Sequence, residues 1–181
     1  MDSLTIELPS QGSQTDFNLR RWAELVADPK WIKVEGRVET DRHGHVLMSP
    51  PPAASHGGFQ FRIGALLDRL MPDGRVVTEC PISTADGVRA ADVAWASRDC
   101  VRELGDGICF ARAPEICVEV ISPDNTVAEM REKTALYFDA GAKEVWHCAQ
   151  SGKMTFFGAD KVSPLRNSPL CPDFPELVEV R

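Results

Sequence analysis

The sequence predicts one α/β (or α+β) domain, a central mixed sheet flanked by helices. Three observations carry this. Helix-patterned and strand-patterned segments alternate along the chain, and two of the strands are apolar on both faces, as strands covered on both sides are. The 181 residues contain neither an internal repeat nor a linker, and a chain of that length suits a single core. The domain is expected over residues 31–181, after an N-terminal extension of residues 1–30 with one short helix.

Residues 1–15 read as a polar lead-in. In "DFNLRRWAELVADP", Asp16 fits an N-cap, Leu19, Trp22, Leu25 and Val26 share a face, and Pro29 is a stop. "WIKVEGRVETDRHGHVLMSP" reads as two short strands around a Gly/Asp/His turn. From His56 the pattern becomes helical, with Phe59, Ile63, Leu66, Leu67 and Leu70 in one stripe. "RVVTECPIST" and "VRAADVAWAS" flank the hairpin turn "ADG", and Pro81 puts the first at an edge or a bulge. After a short helix in "RDCVRELGDG" comes a buried strand, "PEICVEVISPDN". "NTVAEMREKTALYFDAGA" is a helix with a Thr126/Glu129 capping box and Gly141 at C′. "KEVWHCAQ" and "KMTFFG" form a hairpin, and the Pro-rich "SPLCPDFPELVEV" is expected to wrap over the surface.

Composition sets further bounds. Hydrophobic residues are 43% and charged residues 26%, as in soluble globular proteins. No apolar run nears the roughly 20 residues that span a bilayer. The polar, acidic start lacks a signal-peptide pattern, so a cytoplasmic protein with no membrane association is expected. Six cysteines without a C-x-x-C pair, most of them among apolar neighbours, read as reduced and structural. Neither G-x-x-x-x-G-K-[ST] nor G-x-G-x-x-G occurs. The net charge of −7 counts against nucleic-acid binding unless a local basic patch or bound metal ions supply positive charge.

The informative residues are acids in the wrong places. Glu119 interrupts the apolar alternation of "ICVEVI". Asp92 does the same in "VRAADVAWAS", where Ala91, Val93 and Trp95 form one face and Ala90, Asp92, Ala94 and Ala96 the other. Acids are seldom buried unless paired or metal-bound. On the capped helix, 100° steps from Met130 place Lys133 at about 300°, at the margin of an apolar arc, with Glu132 toward solvent. Lys133 can lie along the core and send its amine toward the preceding strand. Two carboxylates suit Mg²⁺ or Mn²⁺, and with a lysine they suit phosphodiester hydrolysis. A structural ion network of Asp92 and Glu119 with Lys133, Arg89 or Arg131 explains the same pattern.

At these residues the chain resembles the Uma family of restriction-endonuclease-like proteins, in the PD-(D/E)XK nuclease superfamily. The resemblance runs from about Trp31 to Gln150, with a weaker echo in "CPDFPELVEV". It is carried by "WIKVEGRV", "MSPPPAASHG", "RAADVAWAS" and, most closely, "APEICVEVISPDNTVAEMREKTALYFDAGAKEVW". The resemblance implies a restriction-endonuclease-like sheet in αβββαβ order and a Mg²⁺- or Mn²⁺-dependent endonuclease acting on DNA. Asp92 and Glu119 then correspond to the metal-binding acids. Ile121 stands where the superfamily lysine usually is, and Lys133 takes over from the next helix. Two departures are visible. Ile32 replaces an acid of the "Y-E-L-I-D-G" stretch, with Glu35 where its Asp stood, and Ala91 replaces the proline before Asp92.

Glu35, His56 and Glu79 are possible accessory residues. His43 and His45 have H-x-H spacing but read as flanking an exposed turn, and His147 reads as structural. Tryptophans 22, 31, 95 and 146 read as core. No strong basic cluster stands out, although Arg20, Arg21, Arg62 and Arg69 are possible phosphate contacts. One site per chain suggests a homodimer for cutting both strands. The alternative from another class is a non-catalytic nuclease-fold protein that binds nucleic acid or a protein partner. A basic cleft at the acids would favour the nuclease, an acidic or sealed one the alternative.

Overall fold

The computed structural model describes residues 11–32, 36–158 and 163–180. Helices α1 (Gln11–Ala27) and α2 (Pro29–Ile32) precede a hairpin of β1 (Arg37–Thr40) and β2 (Val46–Ser49). Then come α3 (Ala54–Leu70), β3 (Gly74–Thr84), β4 (Gly87–Ser97), α4 (Arg98–Leu104), β5 (Ile116–Val120), α5 (Val127–Asp139), β6 (Glu144–Cys148), β7 (Met154–Phe157) and β8 (Pro164–Leu165). The order α3-β3-β4-β5-α5-β6 is the expected αβββαβ core.

The central sheet has six strands in the order β3-β4-β5-β6-β7-β8. It is mixed: β5 and β6 are parallel and every other neighbouring pair is antiparallel. A parallel pair needs a crossover, and α5 supplies it. Thr126 and Glu129 close the capping box that starts α5, and Gly141, at φ +109°, follows its C-cap. Pro81 lies in β3, at the sheet edge as expected.

Each face of the sheet carries a core. On one, Phe59, Ile63 and Leu67 of α3 pack on Val93, Trp95, Val118 and Trp146. On the other, Tyr137 and Phe138 of α5 join Cys80, Ala94, Cys117 and Val145, where small strand side chains make room for the rings. All six cysteines are free and buried. Among the described residues, no helix is long and apolar enough to cross a membrane.

Some expectations about the helices change: Pro29, read as a stop, opens α2, and Trp31 and Ile32, read as the start of the first strand, lie in that helix. Helix α1 begins at Gln11, so Asp16 lies inside it and caps nothing. Tertiary anchoring outweighs the local cap signal: Asn18 is buried and donates to Ser83 Oγ and Thr84 O, both at 2.9 Å. Of its expected apolar face Leu25 is buried, whereas Val26 is exposed. The tail runs over the surface as expected, yet it is anchored by buried residues. Cys171, Phe174 and Val178 enter the α3-side core, and Met154 N–H donates to Glu176 O at 2.8 Å. Prolines break regular structure without preventing burial of the apolar residues between them.

His147 on β6 is structural, as expected. Thr134 Oγ1 donates to Met130 O at 2.7 Å, so His147 Nε2, 2.9 Å from the same oxygen, is the donor of that second bond. Burial pushes its pKa from 6.5 down to about 4. A depressed histidine contributes stability above its unfolded pKa and loses it as pH falls through the folded one. The contribution reaches about 3 kcal/mol by linkage. In urea titrations, the stability difference between wild type and His147→Gln should therefore shrink from pH 6.5 to pH 4. A difference that stays constant with pH would show that His147 is not held neutral.

Candidate active site

The site begins at a break in strand alternation. Val93 and Trp95 face α3, and Ala94 and Ala96 face α5, as a period of two requires. Ala91, however, lies with Ala94 and not with Val93, so the expected face assignment fails at Asp92. Thr78 pairs with Val93 and Cys80 with Ala91, which leaves Glu79 opposite Asp92. Glu79 has φ +49°, the one positive value at a non-glycine residue among those described. Such a backbone costs about 1–2 kcal/mol for an L-residue. The pleat reverses on both strands at this pair.

Strand β5 pairs with β4 only over Val93–Trp95. At the next position Asp92 Oδ2 accepts the Val120 N–H at 2.6 Å, a carboxylate in place of a ladder carbonyl, and the strands part. The β1–β2 hairpin takes over the freed stretch of β4. Glu39 Oε1 accepts the Ala90 N–H and Thr40 Oγ1 the Val88 N–H, both at 2.9 Å. A cleft of about 940 Å³ opens between these elements.

Asp92, Glu119 and Lys133 all line this cleft. Both acids are buried. Lys133 Nζ donates to Glu119 Oε2 at 3.4 Å and lies 3.2 Å from Glu39 Oε1. Tyr137 O–H donates to Glu119 Oε1 at 2.6 Å. Asp92 Oδ1 receives Arg37, Gln60 Nε2 at 3.2 Å and the His56 ring, whose Nε2 is 3.0 Å away. His56 therefore does reach the site from the start of α3. Glu79 does not join Asp92 and Glu119 as a third oxygen donor. It forms a bidentate pair with Arg37 and accepts from Gln60 at 2.5 Å. Glu35 lies outside the described residues. His43 and His45 sit in an exposed turn, where His45 Nδ1 is 2.8 Å from Asp41 Oδ2.

Three site residues escaped the sequence reading: Arg37, Glu39 and Gln60. Nothing in their spacing marks them: Arg37 and Glu39 lie on a four-residue strand, Gln60 lies on α3, and the partners of all three are remote in sequence. Tyr137 was legible only as core. Arg89, one of the expected partners of the acids, turns instead to Asp86 at 2.5 Å and to Thr40 O at 3.0 Å.

The two acids differ electrostatically. Burial pushes the Asp92 carboxyl up, but the hydrogen bond from His56 and the charge of Arg37 outweigh it and hold Asp92 below the usual range. Burial also pushes Glu119 up, to about 7; the Asp92 charge adds to this, and Lys133, Arg37 and Tyr137 only partly oppose it. Burial works to lower the Lys133 pKa, yet Glu119 and Glu39 hold it above the ordinary lysine value, so its ammonium stays charged.

The lining is acid-rich. Glu39, Asp92, Glu119, Asp124, Glu129 and Glu132 face Arg37, Arg89 and Lys133. The excess of hard oxygen donors suits a divalent cation, and the two expected ligands, Asp92 and Glu119, both line the cleft. Among the described residues, His, Cys, Asp and Glu form no metal-holding group of three or more.

Residues 21–176 match the model of the Uma2 family, whose description reads "Putative restriction endonuclease". The chain belongs to the Uma2 family. Its fold is similar to a crystal structure described as a "putative nuclease belonging to DUF820" from Anabaena variabilis, with TM-score 0.65 at 14% identity. That similarity covers 82% of this chain and 92% of the other. No curated protein is close enough to match the chain. The six-stranded mixed sheet with flanking helices is thus a fold shared with that structure, and the expected fold class holds.

Proposed function

We propose that this Uma2-family protein is a Mg²⁺- or Mn²⁺-dependent endonuclease that hydrolyses DNA phosphodiester bonds. The observation that most supports this reading is the convergence of Asp92, Glu119 and Lys133 in one open cleft, where β4 and β5 part. Asp92 and Glu119 would hold the ion. When bound, such an ion polarises a phosphate and lowers the pKa of a coordinated water. The chain's own residues do the rest. Lys133, paired with Glu119 and Glu39, is a donor that orients or activates water and steadies developing negative charge. Tyr137 fixes the Glu119 carboxylate from behind, and His56 and Gln60 fix that of Asp92. Each chain carries one site, so cutting both strands in a single encounter calls for a homodimer.

The test is cleavage of single-stranded, duplex and branched DNA with Mg²⁺, Mn²⁺ or EDTA, beside Glu119→Gln and Lys133→Ala. Cutting should need the metal. It should fall at least about a hundredfold in Lys133→Ala, the scale of losing one donor to developing charge. The acid-rich lining favours the second reading, a non-catalytic nuclease-fold protein that binds nucleic acid or a protein partner. No cutting of any substrate, together with no calorimetric Mn²⁺ binding, would leave that reading in place of the nuclease.

A further inference from the structure

We propose that Arg37 is the phosphate-binding residue of this cleft and that Glu79 is its positioning residue; this deepens the nuclease reading and rests on it. A guanidinium has five N–H donors in a planar fork that matches carboxylate and phosphate oxygens equally well. On Arg37, Nε and Nη2 lie 2.9 and 3.0 Å from the two Glu79 oxygens, and Nη2 also reaches Asp92 Oδ1. Nη1 is placed differently. It lies 4.0 Å from Glu119 Oε2, beyond hydrogen-bond distance. Arg37 is thus gripped along one edge while the other keeps donor capacity beside the two reacting-site acids, in the wall of the cleft.

The charge balance gives that edge a use. A phosphodiester entering this lining meets more carboxylates than cations, so each positive group within reach of Asp92 and Glu119 counts. Were a divalent ion held at Asp92, Arg37 would still have its two bonds to Glu79 to keep it in the cleft. The placement of Glu79 fits this role. Its side chain is 46% exposed, so burial does not explain its position on β3. It nonetheless holds φ +49°, and Gln60 of α3 braces its carboxylate at 2.5 Å. A backbone strained to aim one exposed acid is accounted for by what that acid grips. The competing role for Arg37 is a fixed counter-charge that only neutralises the acids.

The two roles part in binding experiments that need no cleavage. A labelled DNA oligonucleotide would be titrated in Ca²⁺, a hard-oxygen ion like Mg²⁺, across a salt series, and Mn²⁺ binding measured by calorimetry. The proteins are wild type, Arg37→Gln, Arg37→Lys and Glu79→Gln, with thermal melts as the folding control. Arg37→Gln should bind DNA roughly tenfold or more weakly, with the salt slope reduced by about one phosphate contact. It should bind Mn²⁺ as well as wild type or better, since a competing cation has gone. Arg37→Lys should recover part of the affinity, because it keeps the charge and loses the fork. Glu79→Gln should weaken DNA binding without weakening Mn²⁺ binding. Unchanged DNA affinity and salt slope in Arg37→Gln overturn the proposal, and so does weaker Mn²⁺ binding in that variant. Wild type that binds Mn²⁺ and DNA while ignoring the Arg37 change sinks this proposal alone; wild type that binds neither sinks the nuclease reading with it.

Discussion

Asp92→Asn should abolish cleavage and loosen the site in the same protein. The side chain is buried and accepts from Arg37, His56, Gln60 and the Val120 N–H. As a ligand it would carry part of the several kcal/mol that a metal ion contributes to a charged transition state; about 4 kcal/mol is roughly a thousandfold in rate. Asparagine keeps one acceptor oxygen but turns an NH₂ toward groups that are themselves donors, and it leaves Arg37 short of a charge partner. Breaking a buried pair costs about 3–5 kcal/mol, and the lower end applies here because Glu79 still holds Arg37. Denaturant melts and cleavage assays well below the melting range separate the two losses. Reduced stability with intact cutting would make Asp92 a structural residue and remove it from the chemistry.

The second large effect requires no change to an acid. Gly87, the first residue of β4 after the β3–β4 turn, has φ +93°, and a Cβ there would sit 2.2 Å from Thr40 O and 2.4 Å from Asp41 O. Both atoms are backbone at the end of β1, so no flexible side chain can give way. Gly87→Ala should cost at least about 2 kcal/mol from the backbone conformation and the clash combined. The hairpin must move off β4, and its movement breaks the bonds from Val88 to Thr40 and from Ala90 to Glu39. Arg37 and Glu39 leave the cleft with it, so activity falls although Asp92, Glu119 and Lys133 are untouched. Amide exchange at Val88 and Ala90 should quicken relative to the rest of β4. Wild-type protection at these two amides, with normal activity, would show that the hairpin tolerates the side chain.

Most of the elements were legible because their causes are local. The stripe from Phe59 to Leu67, the Thr126/Glu129 capping box and the turn ahead of Gly87 are set by residues within a few positions of one another. The same holds for Lys133, whose place on α5 follows from helical geometry once Met130, Thr134 and Tyr137 are assigned to the core. Asp92 and Glu119 stood out because burying an acid is costly, and a costly residue needs a reason. The start of α1 was misread and the anchoring of the tail was missed for the converse reason. Asn18 and Phe174 owe their places to partners remote in sequence, at Ser83 and Trp146, which local signals do not register.

By itself, then, the sequence determined the order of the core elements from α3 to β7, the two buried acids and the inward lysine, since periodicity, capping and burial cost act over short distances along the chain. Only the tertiary structure decided how those groups meet. The pleat reversal at Glu79 and Asp92, the parting of β4 from β5 and the seating of the β1–β2 hairpin bring Arg37, Glu39, His56 and Gln60 to the acids. Each depends on hydrogen bonds between segments tens of residues apart, where no spacing rule reaches.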